Sequence, residues 1–453
     1  MNSLSQYLEL YRLNSPAINA GSAAALNARR QEAFESLAGL RLPEKGEENY
    51  ENTSINDMFA ADYGLNINRI SMPADVAASF RCDVPNMSTL LGVVVNDEFR
   101  PVRHLQNGLP EGALFMSLRK AAEEHPGLVG GNYAALAPLT DAAVALNTML
   151  VQDGVMIYVP AGVKIEKPLQ LVNIFSASTS LMAVRRVLIV LERGASARLI
   201  VCDHTQDAST PYLSDEVVEV VMKENSHLDY YNIEESSART SRHSKLFVRQ
   251  EAASELSLGT TTLTCGTTRN DFSIDLAGEG ADCRMSGMVI ASGEQHVDNN
   301  VELRHLAARC RSNQLMKYVL DGNATGAFGG RILVTPGARF TDANQTDRNL
   351  LASEGARMHA KPQLEIYNDD VKCSHGATTG QLDNDALFYM RTRGIPEAEA
   401  RNMLMQAFMS DVIDSVAVEE LRDRLRHLVE KRFGGQDSFC GDCNASCRSK
   451  TKE

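Results

Sequence analysis

Residues 197–202 read Ala-Arg-Leu-Ile-Val-Cys, in which a small residue, one spacer and an apolar residue open a short β-rich run. The same step returns at Ser226-His-Leu228, Ser254-Glu-Leu256, Ala281-Asp-Cys283, Ala308-Arg-Cys310 and Ala338-Arg-Phe340, a spacing of roughly 28 residues and so within the range of stacked repeats. Runs of the same kind precede them, among them Val155-Met-Ile-Tyr-Val159, Leu169-Gln-Leu-Val-Asn-Ile174 and Val187-Leu-Ile-Val-Leu191, bounded by Gly, Pro and Asn. From about Thr148 such runs continue with hardly a helical interruption. A unit of this size cannot bury its own apolar face, so neighbours must stack into one continuous core. A parallel β-solenoid explains both the period and the absence of helical crossovers, and it leaves sheet edges at its ends that need a cap or a partner. A β-sandwich with coincidental spacing is the alternative.

On either side the period changes. Residues 1–145 read as an N-terminal helical or mixed domain. Ala23–Leu42 carries Leu26, Ala33, Phe34, Leu37 and Leu40 on roughly one face and stops at Pro43, and Met116–Ala122 shows another short helical pattern. Residues 146–382 form the β core. In 383–435, Asn384–Arg393 is closed by Gly394, which suits a left-handed C′ position. Glu397–Val416 then aligns Ala400, Met403, Leu404, Ala407, Phe408 and Val412, and Glu419–Phe433 aligns Leu421, Leu425 and Leu428. Residues 436–453 read as a flexible, cysteine-containing tail.

Composition narrows the function. The chain has 453 residues, 43% hydrophobic and 23% charged, with a formal net charge of −13. That balance disfavours a general affinity for nucleic acid, which needs a basic surface, and for an anionic membrane. The N-terminus lacks the apolar core of a signal peptide, and no run approaches the ~18 apolar residues of a membrane span. Of the nine cysteines, an odd number, six are scattered singly through apparent strands. Free thiols in a reducing cytoplasm fit this better than a disulfide framework.

Phosphate-cradling Gly-x4-Gly-Lys-Ser/Thr, a nucleophile elbow and His-Glu-x-x-His are all missing. Gly278-Glu-Gly-Ala281 reads as a solenoid turn, and Arg185-Arg186 as the ordinary start of a strand. Cys373-Ser-His375 is the thiol–imidazole pair of interest. In a strand, residues i and i+2 share a face, so the two can converge on a soft metal such as iron. Two ligands make half a site; the alternative is a packed cysteine beside a hydrogen-bonded histidine. Glu365 and Asp369-Asp370 offer carboxylates nearby, which suit acid–base work or a solvated turn. The tail group Cys440-Gly-Asp-Cys443-Asn-Ala-Ser-Cys447 offers three thiols for zinc or iron and lacks a fourth ligand, for which His427 is a distant candidate. A tail of oxidisable thiols is the equal alternative there.

The stretch Lys361-Pro-Gln-Leu-Glu-Ile-Tyr-Asn-Asp-Asp-Val-Lys-Cys-Ser-His-Gly-Ala-Thr-Thr-Gly380 closely resembles the signature of the SufB/SufD family, and within it the SufD branch. Asp153–Leu169 is similar to the family's first solenoid turn, and Ser312–Lys317 and Thr341–Leu351 to later ones. The resemblance is firm over about 150–416 and looser in Leu42-Pro43 and Glu48–Thr53. It implies a right-handed parallel β-helix flanked by helical N- and C-terminal domains. It implies a non-enzymatic subunit of the SUF iron–sulfur cluster assembly complex. Such a subunit pairs with a SufB-like scaffold at one end of the β-helix, binds the SufC ATPase through its C-terminal helices, and forms a homodimer when isolated. SufB-like chains carry a cysteine where this chain has Ala356, and a glutamate after the interface histidine where it has Gly376. The histidine survives as His375, at which the resemblance implies transient iron or a nascent cluster shared with SufB, with no stably bound cofactor. Cys373 lies beside it in the SufD pattern. Two other functions compete: a SufB-like scaffold acting as a homodimer, which Ala356 and Gly376 disfavour, and a β-helix carbohydrate-active enzyme, which would need carboxylates along a groove.

Overall fold

The computed structural model describes residues 3–76, 88–101, 105 and 108–435. The strands run in chain order as β1 Leu90–Val95, β2 Glu98–Pro101, β3 Leu114–Ser117, β4 Val155–Val159, β5 Leu169–Phe175, β6 Leu181–Leu191, β7 Ser196–Thr205, β8 Tyr212–Met222, β9 His227–Glu235 and β10 Thr240–Gln250. They continue as β11 Glu255–Thr264, β12 Thr267–Leu276, β13 Asp282–Ala291, β14 His296–His305, β15 Arg311–Leu320, β16 Thr325–Val334, β17 Thr341–Leu351, β18 Arg357–Ile366 and β19 Val371–Gln381. From β4 onward they alternate between two sheets, one ordered β19-β17-β15-β13-β11-β9-β7-β5-β1-β2 and the other β18-β16-β14-β12-β10-β8-β6-β4-β3. Each strand pairs in parallel with the strand one turn away, in register over nearly its whole length. This is a parallel β-solenoid of about eight turns, and the sandwich alternative is excluded.

One corner of each turn explains the period. Gly194, Asn225, Ala253, Gly280, Arg309 and Phe340 all take a left-handed backbone, φ between 51° and 73°. A buried small residue follows each of them: Ala195, Ser226, Ser254, Ala281, Cys310 and Thr341. The left-handed residue turns the chain tightly, and its successor must be small because it stacks on its equivalents above and below. Three of the six steps read from sequence, at Ser226, Ser254 and Ala281, coincide with this corner. Ala197, Ala308 and Ala338 fall two or three residues off register, because alanines near the corner imitate the step.

Inside the coil, Leu199, Leu228, Leu256, Cys283 and their equivalents form the main apolar core. The outer face of the first sheet carries Ile200, Ile233, Met288 and Val319 beneath the C-terminal helices. The outer face of the second carries Met182, Val184, Leu188 and Leu213 beneath the N-terminal domain. There the helix Ala142–Leu150 is buried along its whole length, capped at its start by Asp141 accepting from the amides of Ala143 and Val144. Arg30 donates to the carbonyls of Met149 and Val151 at its far end, satisfying groups that a helix terminus leaves open. The expected helix over Ala23–Leu42 is instead two short ones, Ala24–Asn27 and Arg30–Leu37, because the chain bends at Ala28-Arg29 to set Arg30 against this terminus. Strands β1–β3 also lie within 1–145 and extend both sheets.

At the other end the helices are Asn384–Thr392, Glu397–Asp414 and Glu419–Phe433, and Gly394 takes a φ of 89°. The second buries Ala400, Met405, Met409, Val412 and Ile413, while Met403 is exposed. The stripe expected from sequence is thus rotated. The row from Met405 through Met409 to Val412 meets the sheet, and Leu404 and Phe408 flank it. Among the described residues no helix is long and apolar enough to cross a membrane.

Candidate metal site at the open end of the solenoid

Arg185 and Arg186 are not an ordinary strand start, because both are buried and point to opposite sides of β6. Arg186 faces the N-terminal domain and pairs with Glu219 at 2.6 Å, both side chains fully buried. Glu219 also accepts from the amides of Ala134, Leu136 and Ala137, fixing the chain that leads to helix Ala142–Leu150. Arg185 faces the lumen and begins a polar spine. It pairs with Asp203 at 2.9 Å, Asp203 accepts from Asn173, and Arg242 lies 3.6 Å from Asp203 and 2.9 Å from Glu216. Arg242 then donates to Asn270, Asn270 to Asn299 at 2.9 Å, and Asn299 to the Tyr318 hydroxyl at 2.7 Å. Buried ions cost more to desolvate than hydrophobes of the same size, so this spine is better understood as fixing register than as adding stability. Burial raises the carboxyl of Glu216 despite its arginine neighbour. Sequence reasoning missed the spine. Its signal was there, as charged and amide residues at inward positions of runs otherwise read as apolar.

The spine continues to the end of the coil. On β17 the inward row is Thr341, Ala343, Gln345 and Asp347, all buried, with Asn349 following. Gln345 donates to Gln314 at 2.8 Å, and Asn349 to one oxygen of Asp347 at 2.7 Å. Because both amides spend their nitrogens this way, their oxygens are oriented elsewhere. Gln345 Oε1, Asp347 Oδ1 and Asn349 Oδ1 are buried with no hydrogen-bond partner. Burial pushes the Asp347 carboxyl up to about 7, against a smaller opposing pull from the Asn349 hydrogen bond.

Strands β18 and β19 are the outermost of their sheets, so each keeps one unpaired edge. Register places Cys373 on Ala343, His375 on Gln345, Ala377 on Asp347 and Thr379 on Asn349. His375 is exposed at this mouth. Cys373 is only partly exposed and packs among Ala343, Val371 and Leu364. Burial raises its thiol, against an opposing pull from the Ala343 backbone. The two residues therefore share a face, as the strand period requires, but sit in different surroundings. Asp369 and Asp370 are exposed in the turn before β19, and Glu365 pairs with Arg331 at 3.1 Å. His427 is exposed on the last helix, and Cys440, Cys443 and Cys447 lie outside the described residues.

A concavity of about 270 Å3 lies on the outer face of the second sheet, lined by Arg269, Asp298, Arg331, His359, Lys361 and Glu51 among others. Its cations are already paired, Arg269 with Asp271 and Asp298, Arg331 with Glu302 and Glu365, and Lys361 with Glu51. It has little charge left for a ligand. Among the described residues no three His, Cys, Asp or Glu side chains gather to hold a metal ion. The mouth around His375, with a single imidazole at its rim, is the candidate site.

Comparison with known proteins agrees with this architecture. Residues 174–408 match the family model described as SUF system FeS cluster assembly, SufBD core domain, and residues 1–171 match the SufBD protein N-terminal region. A SufBD family iron–sulfur cluster assembly protein of Synechocystis is 28% identical, over 94% of this chain and 95% of its own length. SufD of Bacillus subtilis is 27% identical over 71% of this chain and 74% of its own length. SufD of Escherichia coli is 35% identical over 37% of this chain, a match that spans 40% of its own length.

Proposed function

The chain belongs to the SufB/SufD family of the SUF iron–sulfur cluster assembly system, on its SufD-like side, and from that premise we propose that it is a non-enzymatic assembly subunit. It pairs with a SufB-like scaffold through the open end of its solenoid, in the cytoplasm. The observation that carries this reading is the pair of unpaired edges on β18 and β19, of 10 and 11 residues, around an exposed His375. A long free strand edge is a template for another chain's sheet. Lys361, Pro362 and Lys372 on these strands discourage indiscriminate pairing. Apolar Ile366 and Tyr367, 40% and 61% exposed, stand where a partner would cover them.

The C-terminal helices are the proposed dock for the SufC ATPase. They are anchored to the solenoid through Lys317, which donates to the Phe408 carbonyl at 2.6 Å and pairs with Asp411 at 2.7 Å. Their outer surface presents Phe388 and Tyr389, 68% and 58% exposed. Nucleotide hydrolysis is then SufC's contribution, and force applied to these helices is transmitted to the sheet that ends in His375. Iron is the cargo at this site, held transiently by His375 together with SufB's ligands. Replacing His375 with Ala should lower the iron content of the purified complex without preventing its assembly. Unchanged iron would remove the histidine from the metal site.

A further inference from the structure

We infer that this chain carries its own oxygen-donor half of the metal site, one turn below the rim: Asp347, with the amide oxygens of Gln345 and Asn349, takes a divalent cation together with His375. The inference rests on the reading of His375 as an iron-handling residue and adds the ligands that the sequence around His375 lacks. Gly376 offers no side chain, and Cys373 is packed among Ala343, Val371 and Leu364.

The supporting geometry is the register of the last two turns. His375, Ala377 and Thr379 on β19 stack on Gln345, Asp347 and Asn349 on β17. Alanine above Asp347 has no atom beyond Cβ, so the carboxylate is roofed only lightly between an imidazole and a hydroxyl. All three lower residues are at most 3% exposed, and each leaves one oxygen acceptor without a partner. Buried acceptors left unpaired are costly, so three on one inward row, beside the likewise unpaired donor Gln314 Nε2, favour an occupant that supplies positive charge or hydrogen bonds. The donor set, one imidazole, one carboxylate and two amide oxygens, is of the hard to borderline kind that suits ferrous or manganous ions rather than a thiolate-seeking metal. Gly330 preserves the arrangement from across the lumen, since a Cβ there would sit 2.3 Å from the Gln345 amide nitrogen.

The test is Mn2+ binding to the full-length purified chain, followed by electron paramagnetic resonance, for wild type, Asp347→Asn, Asn349→Asp and His375→Ala. Asp347→Asn is isosteric and should weaken Mn2+ at least tenfold. Asn349→Asp adds a second carboxylate and should tighten it, an effect opposite to that of a folding defect. His375→Ala should weaken binding and abolish the nitrogen hyperfine coupling. If His375→Ala weakens Mn2+ while both lower variants bind as wild type does, the inner site is wrong and the role of His375 stands. If none of the three differs from wild type, both are wrong.

Discussion

Asp347→Asn should also change how the stability of the free protein depends on pH. The Asp347 carboxyl is raised from 3.8 to about 7 because it is buried without a charged partner. The folded state therefore holds a proton that the unfolded chain releases near its ordinary value. With the folded value above the unfolded one, the stability this proton supplies is complete below about pH 4 and is lost as the pH rises through about 7. Converted at about 1.36 kcal/mol per pKa unit, the whole effect is about 4 kcal/mol, with about 3 kcal/mol of it falling between about pH 5 and about pH 8. Asparagine carries no such proton, and its amide offers hydrogens to the open oxygens of Gln345 and Asn349. An unfolding entropy of ~2.1 cal/mol/K per residue makes ~1 kcal/mol equivalent to ~1 °C for a chain of this length. The melting temperature of the variant should therefore gain about 3 °C on wild type between about pH 5 and about pH 8, in chelator. Calorimetry in matched buffers measures this directly. A difference between the two proteins that is the same at both pH values would show that Asp347 is not a buried, proton-holding carboxyl.

Three further outcomes follow from named contacts. Arg186→Met should destabilise by ~3–5 kcal/mol in thermal unfolding, because it strands fully buried Glu219, whereas the double variant with Glu219→Gln should recover part of that loss. Lys317→Ala removes the tie to Phe408 and Asp411, so hydrogen exchange should accelerate within Glu397–Phe433 and stay unchanged in β5–β13. Thr53→Val removes the hydroxyl that donates to Asp298 at 2.6 Å and meets His296 at 2.8 Å, so limited proteolysis should quicken near Glu47–Thr53 alone.

Much of this fold was readable in the sequence because solenoids repeat their instructions. Gly280 at its turn, the boundaries of Glu419–Phe433 and the left-handed Gly394 each follow from local chemistry. The exact corner was harder to find, because Ala253, Arg309 and Phe340 accept a left-handed backbone without being glycine. The buried stripe of Glu397–Asp414 was displaced because its helix carries apolar residues on more than one side, and only the sheet beneath selects among them. At the candidate site, Cys373 and His375 were visible as a pair. Their different surroundings depend on Ala343 and Gln345, thirty residues earlier, which only register brings beneath them. Asp347 gave no signal of its own, since a carboxylate in a polar run such as Thr341–Leu351 looks solvated until its strand is known to face inward.

The central claim is that the open end of this solenoid, with His375 at its rim, is one half of a shared assembly site. The most direct measurement is co-purification of the chain with its SufB-like and SufC partners, followed by mass determination and iron analysis. The account predicts a complex of fixed stoichiometry containing both partners, whose iron content falls with His375→Ala while its composition does not. A stable, cluster-loaded homodimer of this chain, formed without either partner, would contradict it.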